Sequence, residues 1–226
     1  YYYNQGKIFG TYYNIRYEAT EDYHDNVKAA LKAVDQSLSM FNPNSVISKI
    51  NRNDSVILDS LFITMFNEAQ GISQLSNGAF DITVAPLVNA WGFGKNTALG
   101  NKKKKLLGKK AQIDSIKTFV GYDKVHLVNH CLQKDDERIT LDASAIAKGY
   151  ACDIVANTLR EKGCEDLLVD IGGEVVLQGV NDKGQAWKVG ISKPKSNGEG
   201  MDNTLQEVIA STNLCMATSG NYLQYY

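Results

Sequence analysis

A chain of 226 residues can bury a sizeable core without disulfide or metal staples. Hydrophobic residues make up 43% of it and charged residues 22%, with 24 Lys and Arg against 25 Asp and Glu. That balance describes an ordinary soluble globular protein and asks for no nucleic-acid partner, and no apolar run reaches the roughly 18 residues of a membrane-spanning helix.

In chain order, "GKIFGTYYNIRYEAT" reads as a strand or hairpin, with Gly6 and Gly10 as turn or close-approach positions. Val27, Ala30, Leu31, Val34 and Leu38 recur at three- and four-residue spacing and predict a helix, which Asn42 and Pro43 end before a shorter element near Ser45. A second helix is expected from Leu61 to Leu75, with Phe62, Met65, Phe66, Ala69, Ile72 and Leu75 facing a core. In "SNGAFDITVAPLVNAWGFGKN", Gly78 permits a turn, Pro86 restricts the backbone, and Trp91 to Gly94 offers flat surface that either closes a core or lines an organic ligand.

Residues 95–110 read as a polar connector, and the lysines at 102–105, 109 and 110 sit among Asn and Gly as a solvated face. "SIKTFVGYDKVHLVN" and "RITLDAS" then look rich in strands. A helix is expected from Ser144 to Glu161, packing through Ile146, Tyr150, Ile154, Val155 and Leu159. "CEDLLVDIGGEVVLQG", the turn "NDKGQ" and "AWKVGIS" suggest successive strands, "SKPKSNGEGMDN" a loop, and "EVIASTNLCMATSGNY" a return to strand. Without a regular alternation of strand and helix, the fold class is a single α+β domain rather than a doubly wound sheet.

Cys131, Cys152, Cys164 and Cys215 show neither CxxC spacing nor a matching histidine pattern, so no zinc site or disulfide framework follows from them. Cys152, inside an expected helix, reads as a small buried hydrophobe. Neither a dinucleotide fingerprint nor a phosphate loop is present. The double glycine of "VDIGGEV" reads as a tight strand connection.

"LDASAIAKGYACD" carries more information, and two readings of it stand at this level. In one, Asp142 caps the following helix with help from Ser144, and Lys148 stays exposed a turn further on. In the other, helix-end amides and Lys148 receive a phosphate, a carboxylate orients an organic group, and Gly149 lets the ligand come close.

"FGTYYNI", "SLSMFNPNSVISKIN", "NGAFDITVAPLVNAWGFG", "LDASAIAKGYACDIV", "LLVDIGGEV", "WKVGISKP" and "ATSGNY" occur in an order that resembles the ApbE-type FAD:protein FMN transferases, once called thiamine-biosynthesis lipoproteins. The resemblance runs through most of the chain and implies one ApbE-like domain, residues 1–226, of mixed helices and antiparallel strands. It implies that FAD is bound and its FMN portion moved through a phosphoester bond to a Thr or Ser hydroxyl of an acceptor protein, with AMP leaving. Flavin-contact positions carried over are Phe9, Phe41, Ala79, Phe80, Asp81, Asp142 and Lys148, with Asp142 and Lys148 at the chemistry. Ala145 matches a magnesium position and can donate only through its main-chain carbonyl. The alternatives are a flavin-binding or scavenging protein, or a magnesium-dependent FAD pyrophosphatase giving FMN and AMP.

The chain departs from the family at Ala143, Ser144 and Ala145, where a leucine-glycine-glycine-like sequence is common, and at Asn221, where an aspartate is common. Family members usually continue past the TSG motif into a histidine-containing region and an acidic, threonine-bearing magnesium segment, and the domain is read as lacking it. His24, His126 and His130 do not match the family histidine. The family further implies an exported protein of the bacterial envelope, periplasmic or surface-associated, held by an N-terminal lipid anchor; Tyr1 in place of Met fits a processed start. The expected partner is an acceptor subunit or domain of an electron-transfer system, and no nucleic acid.

Overall fold

A computed structural model describes residues 1–92, 110–194 and 201–220. In chain order the elements are β1 (Tyr2–Ile8), β2 (Thr11–Tyr17), α1 (His24–Leu38), α2 (Val46–Asn51), α3 (Ser60–Leu75), α4 (Ala85–Ala90) and α5 (Lys110–Lys117). They continue with β3 (Val125–Val128), β4 (Cys131–Lys134), α6 (Ser144–Glu161), β5 (Leu167–Ile171), β6 (Glu174–Gln178), β7 (Trp187–Pro194), β8 (Met201–Ser211) and β9 (Leu214–Met216). The fold is the expected α+β mixture, and every strand pair in its sheets is antiparallel. Two compact units make it up, residues 1–32 with 148–226, and residues 33–147.

The first unit is built on a five-stranded sheet in the order β1-β2-β5-β6-β9. Tyr13, Ile15 and Tyr17 alternate into its core from β2, as a period of two requires. β5 is buried at Leu167, Leu168, Val169 and Ile171, a nearly continuous apolar run. Helix α6 lies along β6: Cys152 Sγ donates to the Glu174 carbonyl at 3.2 Å and Arg160 Nε to Gln178 Oε1 at 2.7 Å. Its buried face is Ala151, Cys152, Val155, Ala156 and Leu159, whereas Ile146, Tyr150 and Ile154 of the expected face are only half-buried. Small residues let helix and sheet approach closely, so the true seam is poorer in large apolar side chains than pattern reading expects.

β7 and β8 pair as a separate ribbon. Trp187 fills the core beside Leu168, Val175 and Leu177 and donates its indole N–H to the Gln178 carbonyl at 2.8 Å. The expected loop over 192–203 is taken up at both ends, since β7 runs to Pro194 and β8 begins at Met201.

In the second unit, Ser45 caps α2 and Asp59 caps α3, each accepting a backbone N–H of the first turn. α3 ends as a Schellman motif: Asn77 takes φ 50°, its N–H meets the Gln74 carbonyl and the Gly78 N–H meets that of Ser73. Phe62, Met65, Phe66 and Ala69 are buried as expected, but Ile72 is 41% and Leu75 88% exposed. Their stripe outruns the core at the helix end.

Of the two stretches expected to be rich in strands, the first forms β3 at Val125–Val128 but begins in a helix, and the second forms no strand. Ser115 to Lys117 belong to α5, whose Ile113 is buried, and "RITLDAS" contributes one parallel bridge, Thr140 to Val84, in place of a strand. Pro86 sits in the first turn of α4, where a missing N–H costs nothing. Most of the 95–110 connector, Phe93, Gly94 and Asn221 lie outside the described residues.

Candidate active site

In the first unit, three motifs meet at one end of the sheet. Phe9 and Gly10 form the β1–β2 turn with φ 52° and 75°, and Gly172 and Gly173 form the β5–β6 turn with φ 59° and 96°. The two turns touch: the Gly172 N–H donates to the Tyr12 carbonyl at 3.0 Å. A Cβ on Gly172 would stand 2.7 Å from the Thr11 methyl, and one on Gly173 2.9 Å from Thr218 Oγ1. Thr218 in turn places its hydroxyl 3.4 Å from the Gly173 carbonyl, which seats the TSG segment on the glycine turn. The double glycine therefore serves backbone geometry and close approach together. Asp170 fixes the turn from inside, accepting the Gly173 N–H at 3.0 Å and the Asn14 amide at 3.3 Å.

Immediately after that turn stands Glu174. Its carboxylate accepts from Lys148 Nζ at 2.7 Å, with the Lys148 side chain 34% and the Glu174 side chain 13% exposed. One helical turn along α6, the Cys152 thiol donates to the Glu174 carbonyl. Burial first, and the Glu174 charge second, hold that thiol well above its ordinary range, so Cys152 is an uncharged donor and not a nucleophile.

The second unit holds the two acidic stretches side by side. The Asp142 N–H donates to the Ile82 carbonyl at 2.7 Å, and the bridge from Thr140 to Val84 continues the pairing. Asp81 Oδ1 accepts both the N–H and the hydroxyl of Thr83, each at 2.7 Å, and the Thr83 hydroxyl also accepts the Gly121 N–H at 2.9 Å. One Asp81 oxygen is thus committed to the turn that presents the other. Asp142 Oδ1 accepts the N–H of Ser144, the first residue of α6, at 2.8 Å, so the capping expected of Asp142 is made. Ala79 is exposed and Phe80 half-buried just after the α3 terminus.

Phe41 is 66% exposed on the turn between α1 and α2. The turn itself is well tied: Asn42 bonds to Asp35 and Ser39, and Ser45 Oγ donates to the Ser39 carbonyl. An aromatic ring held in solvent by an ordered turn has no packing role there. Trp91, at the end of α4, is 39% exposed.

Of the carried-over residues, Phe9 and Lys148 stand with the glycine turn and Asp81 with Asp142, with Ala79 and Phe80 just before Asp81 in the chain, while Phe41 stands apart on the α1–α2 turn. Lys148 is not the exposed charge that a simple capping role expects, because a carboxylate 26 positions along the chain holds it. Glu174, Thr11, Thr83 and Thr218 escaped sequence reading; the one available signal was an acidic residue directly after two glycines.

Magnesium is a different matter. Ala145 lies exposed in the first turn of α6 and offers one main-chain oxygen. Among the described residues, no group of three His, Cys, Asp or Glu could hold a metal ion. A hard divalent ion wants about six oxygens, so these residues alone do not compose its site.

The family model for the ApbE family matches residues 9–226. An FAD:protein FMN transferase of Haemophilus influenzae is 32% identical, covering 98% of this chain and 66% of its own length. That of Escherichia coli K12 is 29% identical, covering 98% and 64%. The solved flavin transferase ApbE from Vibrio cholerae is 29% identical at a TM-score of 0.82, covering 100% of this chain and 73% of its own. The Pseudomonas stutzeri flavinyl transferase ApbE gives 26% and 0.83, covering 100% and 70%. The chain spans just under two thirds of the length of these curated relatives. With the motifs seated in this fold and the family model matched across nearly all of it, the chain belongs to the ApbE family.

Proposed function

We propose that this protein transfers the FMN portion of FAD to a Thr or Ser hydroxyl of an acceptor protein and releases AMP. The observation that carries the reading is the 32% identity to an FAD:protein FMN transferase across 98% of the chain. In the step, the acceptor oxygen bonds to the flavin-side phosphorus and the bond from that phosphorus to the bridging oxygen breaks. AMP leaves with the bridging oxygen, and the proton of the hydroxyl is released to water.

Lys148 holds a phosphate oxygen and offsets the charge that spreads over the transferring group. Asp142 and Asp81 orient ribose or ring donors through the second carboxylate oxygen, the Oδ1 of each being held by its own turn. Phe9, Phe41 and Phe80 offer aromatic faces to a flavin, and Ala79, the chain neighbour of Phe80, adds no bulk. Magnesium would supply charge neutralisation at the pyrophosphate, with the Ala145 carbonyl as one donor.

We further infer, from the family resemblance, an envelope location with a lipid anchor, and an acceptor belonging to an electron-transfer system. No helix among the described residues is long and apolar enough to cross a membrane. Cell fractionation with detergent release tests the location.

Incubation with FAD, Mg2+ and a threonine-containing acceptor protein is expected to add the mass of FMN to the acceptor and to release AMP in equal amount. Omission of Mg2+ with excess chelator should abolish both. Free FMN with AMP and an unlabelled acceptor would replace this reading with FAD hydrolysis, and FAD binding without either product would replace it with a flavin carrier. Lys148→Met should cut transfer by at least about 100-fold.

A further inference from the structure

We propose that Glu174 is the positioning residue for Lys148, setting the ammonium where it meets a phosphate of the flavin donor; this rests on the role proposed for Lys148 above. The place of the carboxylate is fixed by backbone. Glu174 pairs with Ile171 across the two-glycine turn, the turn is tied by the Gly173 N–H on Asp170, and Thr11 and Thr218 close against its glycines. From that anchor the carboxylate reaches Lys148 Nζ at 2.7 Å.

The pair is more than a fastening of helix to strand. Cys152 already joins α6 to the Glu174 main chain one turn away, and Arg160 joins it to Gln178 further along. A carboxylate only 13% exposed is costly to bury, and a well-packed apolar pair would hold the two elements as well or better. What the ion pair adds is direction. A lysine has three donors on a stem with many rotamers. Among the described residues Glu174 takes one donor, which leaves two for an anion and removes most of the stem's freedom before the ligand arrives. Protein kinases use the same device, a glutamate that holds the phosphate-binding lysine in place.

The test is a double-mutant cycle on Glu174→Gln and Lys148→Met, read by FAD and riboflavin affinity from flavin fluorescence and by AMP release at saturating FAD. Glu174→Gln should weaken FAD binding about tenfold while leaving riboflavin, which has no phosphate, unchanged. AMP release should slow as well. In the Lys148→Met background the same substitution should add nothing, and Glu174→Asp should recover part of the loss. A role confined to fold stability would instead lower the unfolding temperature and weaken both ligands in either background, and that outcome overturns the proposal. If the wild type binds FAD and releases AMP while Glu174→Gln is silent, the proposal falls alone. A wild type that cannot tell FAD from riboflavin removes the functional reading and this one with it.

Discussion

The β1–β2 and β5–β6 hairpins solve one problem in two ways. Both close with two residues of positive φ, the geometry that matches the twist of the flanking strands. At Gly172 and Gly173 the chain uses the residues for which that backbone is free, and Thr11 and Thr218 occupy the space a side chain would need. At Phe9 and Gly10 it puts a bulky aromatic at φ 52°, where Asn, Asp or Gly would relieve roughly 1–2 kcal/mol. The first turn obeys local chemistry and is explained by the fold. The second breaks it, and a broken local rule at an aromatic that the family resemblance assigns to flavin points to function.

The glycine turn gives the largest expected effect. Gly172→Val would force a β-branched residue to φ 59° and drive its Cβ into the Thr11 side chain, both of which cost. A loss of about 3 kcal/mol is expected, visible as a lower urea midpoint at unchanged slope. A variant as stable as the wild type would show that the turn can be rebuilt, and the contrast with Phe9 would lose its reference.

Much of this arrangement was open to sequence reading, for reasons that differ by element. β2, α1 and α3 carry clean periods because one face of each meets a core, and they fall where the periodicity predicts. α5 was missed because its buried face reduces to Ile113, too little to outweigh the β-branched residues that follow. The α6 seam was misread because Ala151, Cys152 and Ala156 pack there through smallness. Of the candidate site, Asp142 as a cap followed from local chemistry, while Phe9, Phe41, Ala79, Phe80, Asp81 and Ala145 followed only from the ordered motifs. The Lys148 to Glu174 pair is tertiary: nothing in a spacing of 26 residues announces that the helix carrying Lys148 will lie along the strand that Glu174 opens.

Phe9 itself is the sharper test. Phe9→Asn supplies the residue the turn prefers and should raise stability by about 1 kcal/mol, or roughly 2–4 °C in Tm for a chain of this length. The same change should weaken FAD binding severalfold by removing an aromatic face. Greater stability with unaltered FAD affinity would reduce Phe9 to an accident of the turn.

The β3–β4 hairpin supplies the control with the smallest effect. It closes through Asn129 and His130 at φ 48° and 59°, with Val128 paired to Cys131. Asn suits the first position, and His tolerates the left-handed region better than Phe does, so less strain is left to relieve. His130→Gly completes the preferred Asn-Gly turn and should gain about 0.5 kcal/mol. The His130 carbonyl that accepts the Leu58 N–H at 3.0 Å belongs to the main chain and survives the change. FAD affinity should stay the same, because nothing assigns this turn to the flavin. If relieving His130 weakens FAD as much as relieving Phe9, the ligand is responding to global stability, and the difference between the two hairpins carries no information about the site.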